Sequence, residues 1–525
     1  LSEMAGHGCS SAAIERIENA IRTHGLNRIV IGGCSPRTHE PLFQTALRRA
    51  GLNKYLLEIA NIRDQDAWVH ALQREKATDK AKDLVRMAVR SVGPRRPLND
   101  TLLPMNKDVL VVGGGVSGMT AALSLADQGF KVTLVERMRA LGGLAGQIRK
   151  SLEGEDIQAH VRALADRTMN HARIEVLTQT IVVDHSGMPG MFVTGLQTGP
   201  RMLYRPIQHG ATILATGALP RRPDQYLLGR HAGVVTQLDL DGIIEEQPER
   251  VASWSSVVMI QCVGSRVPDN PNCSKICCQS AVKNLLRIRR LNPEARLFVL
   301  YRDMRTPGFQ EDHTIEARRQ GAVFFQYEPD APPQVTAEGG RLTVTFTERV
   351  LGRPVQIGAD CLALSTGFVA DEEGSEDLAA IFHLNRTADG FFLEDHVKLR
   401  PVDLSVPGFA VAGTAHGPKG VRESITQALA AAARVRTVLA RDTINLGAVV
   451  ARVDRERCAA CLLCVRACPY HIPFINADGV SEIDAARCHG CGTCAAECPA
   501  KAIELVRFED DVIAAQLEGL LERLN

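Results

Sequence analysis

Asp108-Val-Leu-Val-Val112 runs without a gap into Gly113-Gly-Gly115-Val-Ser-Gly118, and this stretch decides the fold. A short apolar run reads as a parallel strand buried on both faces. The G-x-G-x-x-G that follows permits a tight turn and a close approach of backbone to a pyrophosphate. Helical spacing then covers Met119–Gln128, a second strand covers Lys131–Val135, and Glu136 stands eighteen residues past Gly118. Helix N-termini attract phosphate, and an acid at that distance accepts from an adenosine ribose. A glycine-rich turn alone is weak evidence, but strand, turn, helix, strand and acid in order predict a doubly wound dinucleotide domain. Gly113, Gly115, Val116, Ser117, Gly118 and Glu136 are its candidate contacts.

Outward from this unit lie Arg137, the pair Gly142-Gly143, Ala215-Thr216-Gly217, and Phe409-Ala-Val-Ala-Gly413-Thr-Ala-His-Gly-Pro-Lys419 before another helix. This set resembles the two-dinucleotide-domain flavoproteins of the thioredoxin reductase and glutamate synthase small-subunit kind. The resemblance implies FAD, with Arg137, Gly142, Gly143, Thr216, Gly217 and Gly413 around it. Gly413-Thr414 replaces the Gly-Asp of many relatives, which puts the ribityl contact there in question.

In those flavoproteins a second, inserted domain binds NAD(P)H through its own glycine turn. Here the corresponding strand Val257-Val-Met-Ile260 runs into Gln261-Cys262-Val-Gly264-Ser-Arg266, and no G-x-G-x-x-G is present. Cys273, Cys277 and Cys278 follow at once. Adjacent cysteines seldom form a disulfide with each other, because its geometry needs more separation. The expectation is a [4Fe–4S] cluster on Cys262, Cys273, Cys277 and Cys278; zinc or a redox-active thiol pair are the alternatives.

Near the C-terminus, C-x₂-C-x₂-C-x₃-C-P occurs twice, at Cys458, Cys461, Cys464, Cys468 and at Cys488, Cys491, Cys494, Cys498. In two-cluster ferredoxins the last cysteine of each run serves the other cluster. That rule groups Cys458, Cys461, Cys464 and Cys498 on one [4Fe–4S] centre, and Cys488, Cys491, Cys494 and Cys468 on the other. A disulfide framework or paired zinc sites would not explain the duplication with its prolines. His489, between two of these cysteines, is expected to be exposed and without influence.

The bulk numbers narrow the class. At 525 residues the chain accommodates several domains. A net charge of +1 argues for neither nucleic acid nor an anionic membrane surface. No apolar run is long enough for a membrane span, no secretory pattern opens the chain, and cluster thiols need a reducing compartment, so a cytoplasmic location is expected. The modules read as an N-terminal α/β domain over 1–96, closed by the Pro/Gly-dense linker 92–97, then a FAD domain over 97–250. An inserted nucleotide-type domain spans 251–358 and the FAD domain resumes over 359–445. A ferredoxin domain spans 446–508 and a terminal helix 509–525. Within the first module Arg63–Val92 reads as one long charged helix.

Across nearly its whole length this arrangement resembles the A-type component of heterodisulfide reductase and its bacterial homologues. The segments that carry the likeness are Gly33-Cys34-Ser-Pro-Arg-Thr-His-Glu-Pro41, Gln261–Arg266, Asn272-Cys-Ser-Lys-Ile-Cys-Cys278, Gly417-Pro-Lys419 and the terminal ferredoxin. The resemblance implies a flavin and iron–sulfur subunit of a cytoplasmic complex that bifurcates or confurcates electrons between ferredoxin and a disulfide or other acceptor. Its implied partners are B- and C-type subunits, a hydrogenase, formate dehydrogenase or NADH module, and ferredoxin, in a homodimer of heteromers. It also implies Lys419 as a catalytic lysine near the flavin, and Cys9 and Cys34 as two ligands of an N-terminal cluster whose other cysteines would precede Leu1. Gly420 departs from the family's usual aspartate, and the extra internal ferredoxin of archaeal members has no cysteine run here. His39 and His416 are expected to be structural. The competing functions are an electron relay with a structural FAD and an NAD(P)H-dependent reductase like the small subunit of glutamate synthase.

Overall fold

The computed structural model describes residues 1–525 apart from 101, 269, 446, 471, 486 and 523–525. The chain divides into two compact units, Pro104–Ile444 and the joined ends Leu1–Leu103 with Asn445–Asn525.

In the unit Pro104–Ile444 the all-apolar strand Val109–Val112 is buried along its whole length. It lies in a five-stranded parallel sheet ordered Phe409–Val411, Ala211–Leu214, Val109–Val112, Val132–Val135, Ile174–Leu177. Between the last strand and Ala211–Leu214 the chain makes an antiparallel meander, Thr180–Met188, Met191–Thr198 and Leu203–His209. The same plan is then repeated. A second parallel sheet is ordered Val234–Thr236, Cys361–Leu364, Ser256–Ile260, Arg296–Tyr301, Val323–Gln326, with its own meander Gln334–Glu338, Arg341–Glu348 and Arg353–Ala359. Two doubly wound domains are therefore present. Strands Val234–Thr236 and Cys361–Leu364 lie outside the expected 251–358, so the second domain is longer at both ends. Edge pairing across the sheet sets that boundary, and no local signal marks it.

In the other unit, parallel strands Ile29–Gly33 and Leu57–Asn61 are flanked by helices Ser11–His24, Pro36–Arg49 and Arg74–Val92. The long helix expected from Arg63 begins only at Arg74. Over Arg63–Ala67 the winding widens, with the Trp68 N–H donating to the Arg63 carbonyl, and Asp66 turns inward to 2% exposure. The stretch 92–97 is anchored and does not behave as a free linker. Arg95 is buried, pairs with Glu58 and donates to the Leu57 carbonyl. Arg507, at the end of the ferredoxin domain, donates to Glu40 at 2.7 Å and to the same Leu57 carbonyl at 3.3 Å. Helix Asp510–Leu521 packs on Arg74–Val92, where Gly519 leaves room for the Arg86 carbonyl. Residues 523–525, the end of the terminal helix expected over 509–525, lie outside the described residues.

The ferredoxin repeat closes with Ala451–Val453 antiparallel to Ile503–Leu505. Its two cysteine loops need left-handed backbone at equivalent positions. The second loop uses Gly490 and Gly492, whereas the first places Ala460 and Leu462 there, at φ 51° and 65°. A Cβ on Gly490 would meet the Val449 carbonyl oxygen at 2.3 Å. Gly490→Ala is thus expected to cost at least about 1–2 kcal/mol, read as a lower denaturant midpoint. Ala460→Gly should be neutral or stabilising.

Candidate functional site

Four glycine-bearing segments meet at the carboxyl edge of the first sheet. Gly113 has φ +110°, and a Cβ there would lie 2.3 Å from the Ala215 carbonyl oxygen. On Gly118 it would lie 1.8 Å from the Gly113 oxygen, and on Gly413 2.2 Å from Ser117 Oγ. The Gly142 N–H donates to the Gly114 carbonyl at 2.9 Å, and Gly143 packs against Gly115. Helix Val116–Ala126 starts at Gly115, so its free N–H groups face this junction. Gly115 itself has open space around it.

The Glu136 carboxylate accepts from the Gly114 N–H and the Met138 N–H, both at 2.7 Å, and so braces the turn while keeping lone pairs for a ribose. Arg137 is half exposed and pairs with Asp371 at 2.5 Å. Thr216 Oγ1 is buried without a hydrogen-bond partner among the described residues. An unpaired buried hydroxyl at the mouth of a glycine cradle, beside a helix N-terminus, fits a polar dinucleotide such as FAD. When bound, FAD supplies an acceptor that takes an electron pair and releases it singly.

Lys419 is 7% exposed, and its Nζ donates to the Gly413 and Gly417 carbonyls at 2.7 Å each, strapping this loop. It is therefore no solvated lysine. Burial pushes its ammonium down from 10.5 to about 8. His416 is held between two partners, its Nε2 2.9 Å from Glu394 and its Nδ1 2.8 Å from Gln427 Nε2. Because Gln427 Oε1 accepts the Gly413 N–H, Gln427 Nε2 must donate, which leaves His416 Nε2 to donate to Glu394. Burial raises the Glu394 carboxyl, but the hydrogen bonds from His416 and from the backbone, with the nearby Lys419 ammonium, bring it below its usual range. Nothing in the spacing of Glu394 and Gln427 signals this chain of contacts, since it is assembled by packing.

The cysteines gather into three chambers of similar size. Cys458, Cys461, Cys464 and Cys498 line one of about 350 Å³. Cys488, Cys491, Cys494 and Cys468 line another of about 330 Å³. These are the crossed sets, brought together because each short helix ends by delivering its last cysteine towards the other loop. Backbone N–H groups point at the sulfurs, Ser481 to Cys458 and Ala502 to Cys498 at 3.3 Å, Ala451 to Cys488 at 3.4 Å. His489 is exposed and stacks on Tyr470 with centroids 3.9 Å apart, and both line the second chamber.

Cys262, Cys273, Cys277 and Cys278 line the third chamber, of about 310 Å³, at the carboxyl edge of the second sheet. Cys277 and Cys278 open the helix Cys277–Leu291, and Cys262 takes φ +59° where a glycine turn would stand. Burial raises Cys262 and Cys277 and takes Cys278 up to about 11. Cys278 is buried and the other three are half-buried, and the cationic iron of a cluster would offset the penalty that burial sets on the thiolates of Cys262, Cys277 and Cys278. Arg266, Asp303 and Arg305 also line this chamber. The last two follow strand Arg296–Tyr301, and only their place at a strand's carboxyl end marks them in the sequence. Lys275, also in this wall, reaches within 3.8 Å of Glu423, in the first turn of the helix that follows Lys419. Cys9 is exposed, and Cys34 is half-buried with Arg63 Nη1 3.7 Å from its sulfur.

Variants of the cradle separate its two roles. Gly115→Ala should lower flavin content per chain while leaving the melting temperature of the flavin-free protein unchanged; Gly118→Ala should lower both. Unfolded, Lys419 keeps its proton to about 10.5, but in the flavin-free fold only to about 8. The unfolded state thus binds more protons between these values, and stability rises with pH there. Comparing denaturant midpoints at about pH 7 and about pH 9.5 should show the wild type gaining on Lys419→Met at the higher pH.

Residues 108–197 match the FAD-dependent oxidoreductase family, and residues 451–506 match the 4Fe-4S dicluster domain. The chain is 33% identical to the second of the iron-sulfur A subunits of the CoB--CoM heterodisulfide reductase of Methanopyrus kandleri, over 90% of this chain and 86% of that one. It is 32% identical to the A subunit of the H(2):CoB-CoM heterodisulfide,ferredoxin reductase of Methanothermobacter thermautotrophicus, over 88% and 84%. Among solved structures, Lactococcus lactis thioredoxin reductase superposes with a TM-score of 0.45 at 17% identity, over 64% of this chain and 99% of that one. With its flavin-type domain, its dicluster module and relatives at this identity over most of its length, the chain is an oxidoreductase belonging to the family of heterodisulfide reductase A subunits.

Proposed function

We propose that this chain is the flavin centre of a multisubunit complex in which an electron pair is divided. One electron leaves towards ferredoxin, the other towards a disulfide or similar high-potential acceptor. The observation that carries this reading is the third chamber. Where a second dinucleotide domain offers a glycine turn to a nicotinamide cofactor, this one offers Cys262, Cys273, Cys277 and Cys278. A pyrophosphate needs small residues and free N–H groups at that turn, whereas Gln261 brings a long side chain and an N–H already donated to Leu300, and Cys262 brings a thiol. A one-electron carrier there stands close to the flavin cradle through Lys275 and Glu423. Lys419 holds a positive charge at the cradle below about pH 8, which favours a reduced ring that carries negative charge. The twin ferredoxin chambers supply a further relay, and Cys9 and Cys34 two of the thiolates that a fourth cluster needs.

The partners in this reading are B- and C-type subunits, a hydrogenase, formate dehydrogenase or NADH module, and ferredoxin. Among the described residues no helix is long and apolar enough to cross a membrane.

Anaerobic purification from the host, with mass spectrometry of co-purifying subunits, tests the assignment; B- and C-type subunits are the expected companions. Cys277→Ser should remove about four irons per chain, one [4Fe–4S] cluster. Stoichiometric reduction of the isolated flavoprotein by NADH, with tight binding, would instead make it a self-contained reductase of the glutamate synthase small-subunit type.

A further inference from the structure

Gln261 is fully buried, yet among the described residues neither polar atom of its carboxamide has a hydrogen-bond partner. Ser365, 1% exposed, likewise has an unpartnered hydroxyl. The backbone at both positions is satisfied. The Gln261 N–H donates to the Leu300 carbonyl, its carbonyl accepts from Tyr327 Oη at 2.7 Å, and the Ser365 N–H donates to the Ile260 carbonyl. Only the side chains lack a partner. A buried polar group left alone costs far more than a bonded one, so such groups mark something that completes them.

Register shows where the two side chains point. Ile260 pairs with Leu364 across adjacent parallel strands, so Gln261 and Ser365 are the next residues in the same row. Val258, Ile260, Leu362 and Leu364 pack towards the meander. Val257, Met259, Cys361 and Ala363 pack towards the helix Cys277–Leu291. Alternation therefore sets Gln261 and Ser365 on the face of the sheet that carries the helix opened by Cys277 and Cys278, next to the chamber wall and not in it. The two strands also flank the point where the strand order reverses, from Ser256–Ile260 outward to either edge, which is where such sheets bind their ligands. Arg266 Nη1 is a third buried, unpaired donor, on a residue of the chamber wall.

We propose that Gln261 Nε2 and Ser365 Oγ donate hydrogen bonds to sulfurs of the cluster held by Cys262, Cys273, Cys277 and Cys278, and so set its potential. The inference rests on the reading of that chamber as a cluster site. In the ferredoxin chambers backbone N–H groups already serve this purpose at several sulfurs. In the third chamber the Lys275 N–H donates to Cys273 at 3.4 Å, backbone N–H groups also serve Cys277 and Cys278, and the Arg266 side chain donates to Cys262. Reducing the cluster by one electron adds one negative charge, which N–H and O–H donors stabilise, so the pair holds the potential up.

Potentiometric titration of the anaerobic complex, followed by electron paramagnetic resonance, tests this. The third cluster is the signal, and the four irons, lost in Cys277→Ser. In Gln261→Leu and in Ser365→Ala, iron content should stay at the wild-type value. The equilibrium for reducing that one cluster should fall about tenfold in Gln261→Leu, a drop of about 59 mV for one electron. Ser365→Ala should shift it in the same direction, and the two ferredoxin clusters should keep their midpoints. An unchanged midpoint in both variants overturns the proposal. If Gln261→Leu does not accumulate, Ser365→Ala, which removes one oxygen atom, gives the same reading. If Cys277→Ser loses neither iron nor signal, it is the cluster assignment that fails.

Discussion

The carboxyl edge of a parallel sheet is the constraint on which the larger unit depends. Strands buried on both faces need helical crossovers, and each right-handed crossover sets a helix N-terminus above the end of the strand before it. Unpaired N–H groups therefore collect at that edge, and a negatively charged group is stabilised there. The two parallel sheets create this environment twice. At the first, Gly113, Gly118 and Gly413 admit backbone so closely that no Cβ fits. At the second, the same edge carries cysteines. A phosphate and a thiolate cluster make similar demands on the fold, since both are anionic and both are held by N–H donors.

This equivalence would let a nucleotide-type domain hold the cluster proposed above without a new architecture. Each domain retains five parallel strands and a three-stranded meander in the same order. The change is confined to the turn after Ser256–Ile260, where Gln261 and Cys262 replace small residues, and to the first turn of the helix Cys277–Leu291. The loop between them folds back so that Ser274 Oγ lies where a Cβ on Gly367 would be. Such a contact fixes Cys273 against the strand end. The chemistry differs, but the scaffold is the same.

The joined chain ends follow a different rule. The ferredoxin core is small, and its cysteines are part of it: Cys464, Cys494 and Cys498 pack with Ala451 and Ile503. A core of that size gains from additional surface. Arg507, Glu40, Arg95 and Glu58 form a half-buried network around the Leu57 carbonyl, and helix Asp510–Leu521 covers Arg74–Val92. Burial raises the Glu58 carboxyl and lowers the Arg95 guanidinium, so each charge relies on the other partners of this network.

Much of this was legible in the residues themselves. The strand and turn 108–118, the two cysteine runs and the third cysteine group are contiguous or nearly so, and their spacing reflects constraints within one or two turns of backbone. The crossed grouping of Cys468 and Cys498 was legible as well, because duplication repeats a local geometry. The rest needed the tertiary structure. Helix Arg74–Val92 starts eleven residues later than its charge pattern suggests, since the inward turn of Asp66 is set by packing. Strands Val234–Thr236 and Cys361–Leu364 join the second sheet by pairing with partners far away in sequence. The stretch 92–97 looks like a linker until Arg95 meets Glu58. By itself the sequence determined which cofactors the chain is built to hold, because ligand chemistry is written in residue type and short spacing. Only the tertiary structure decided which side chains are packed together near those motifs, among them Gln261 with Ser365 and Gln427 with His416 and Glu394. Burial and hydrogen-bond satisfaction are properties of packed neighbours, and a linear chain does not contain its neighbours.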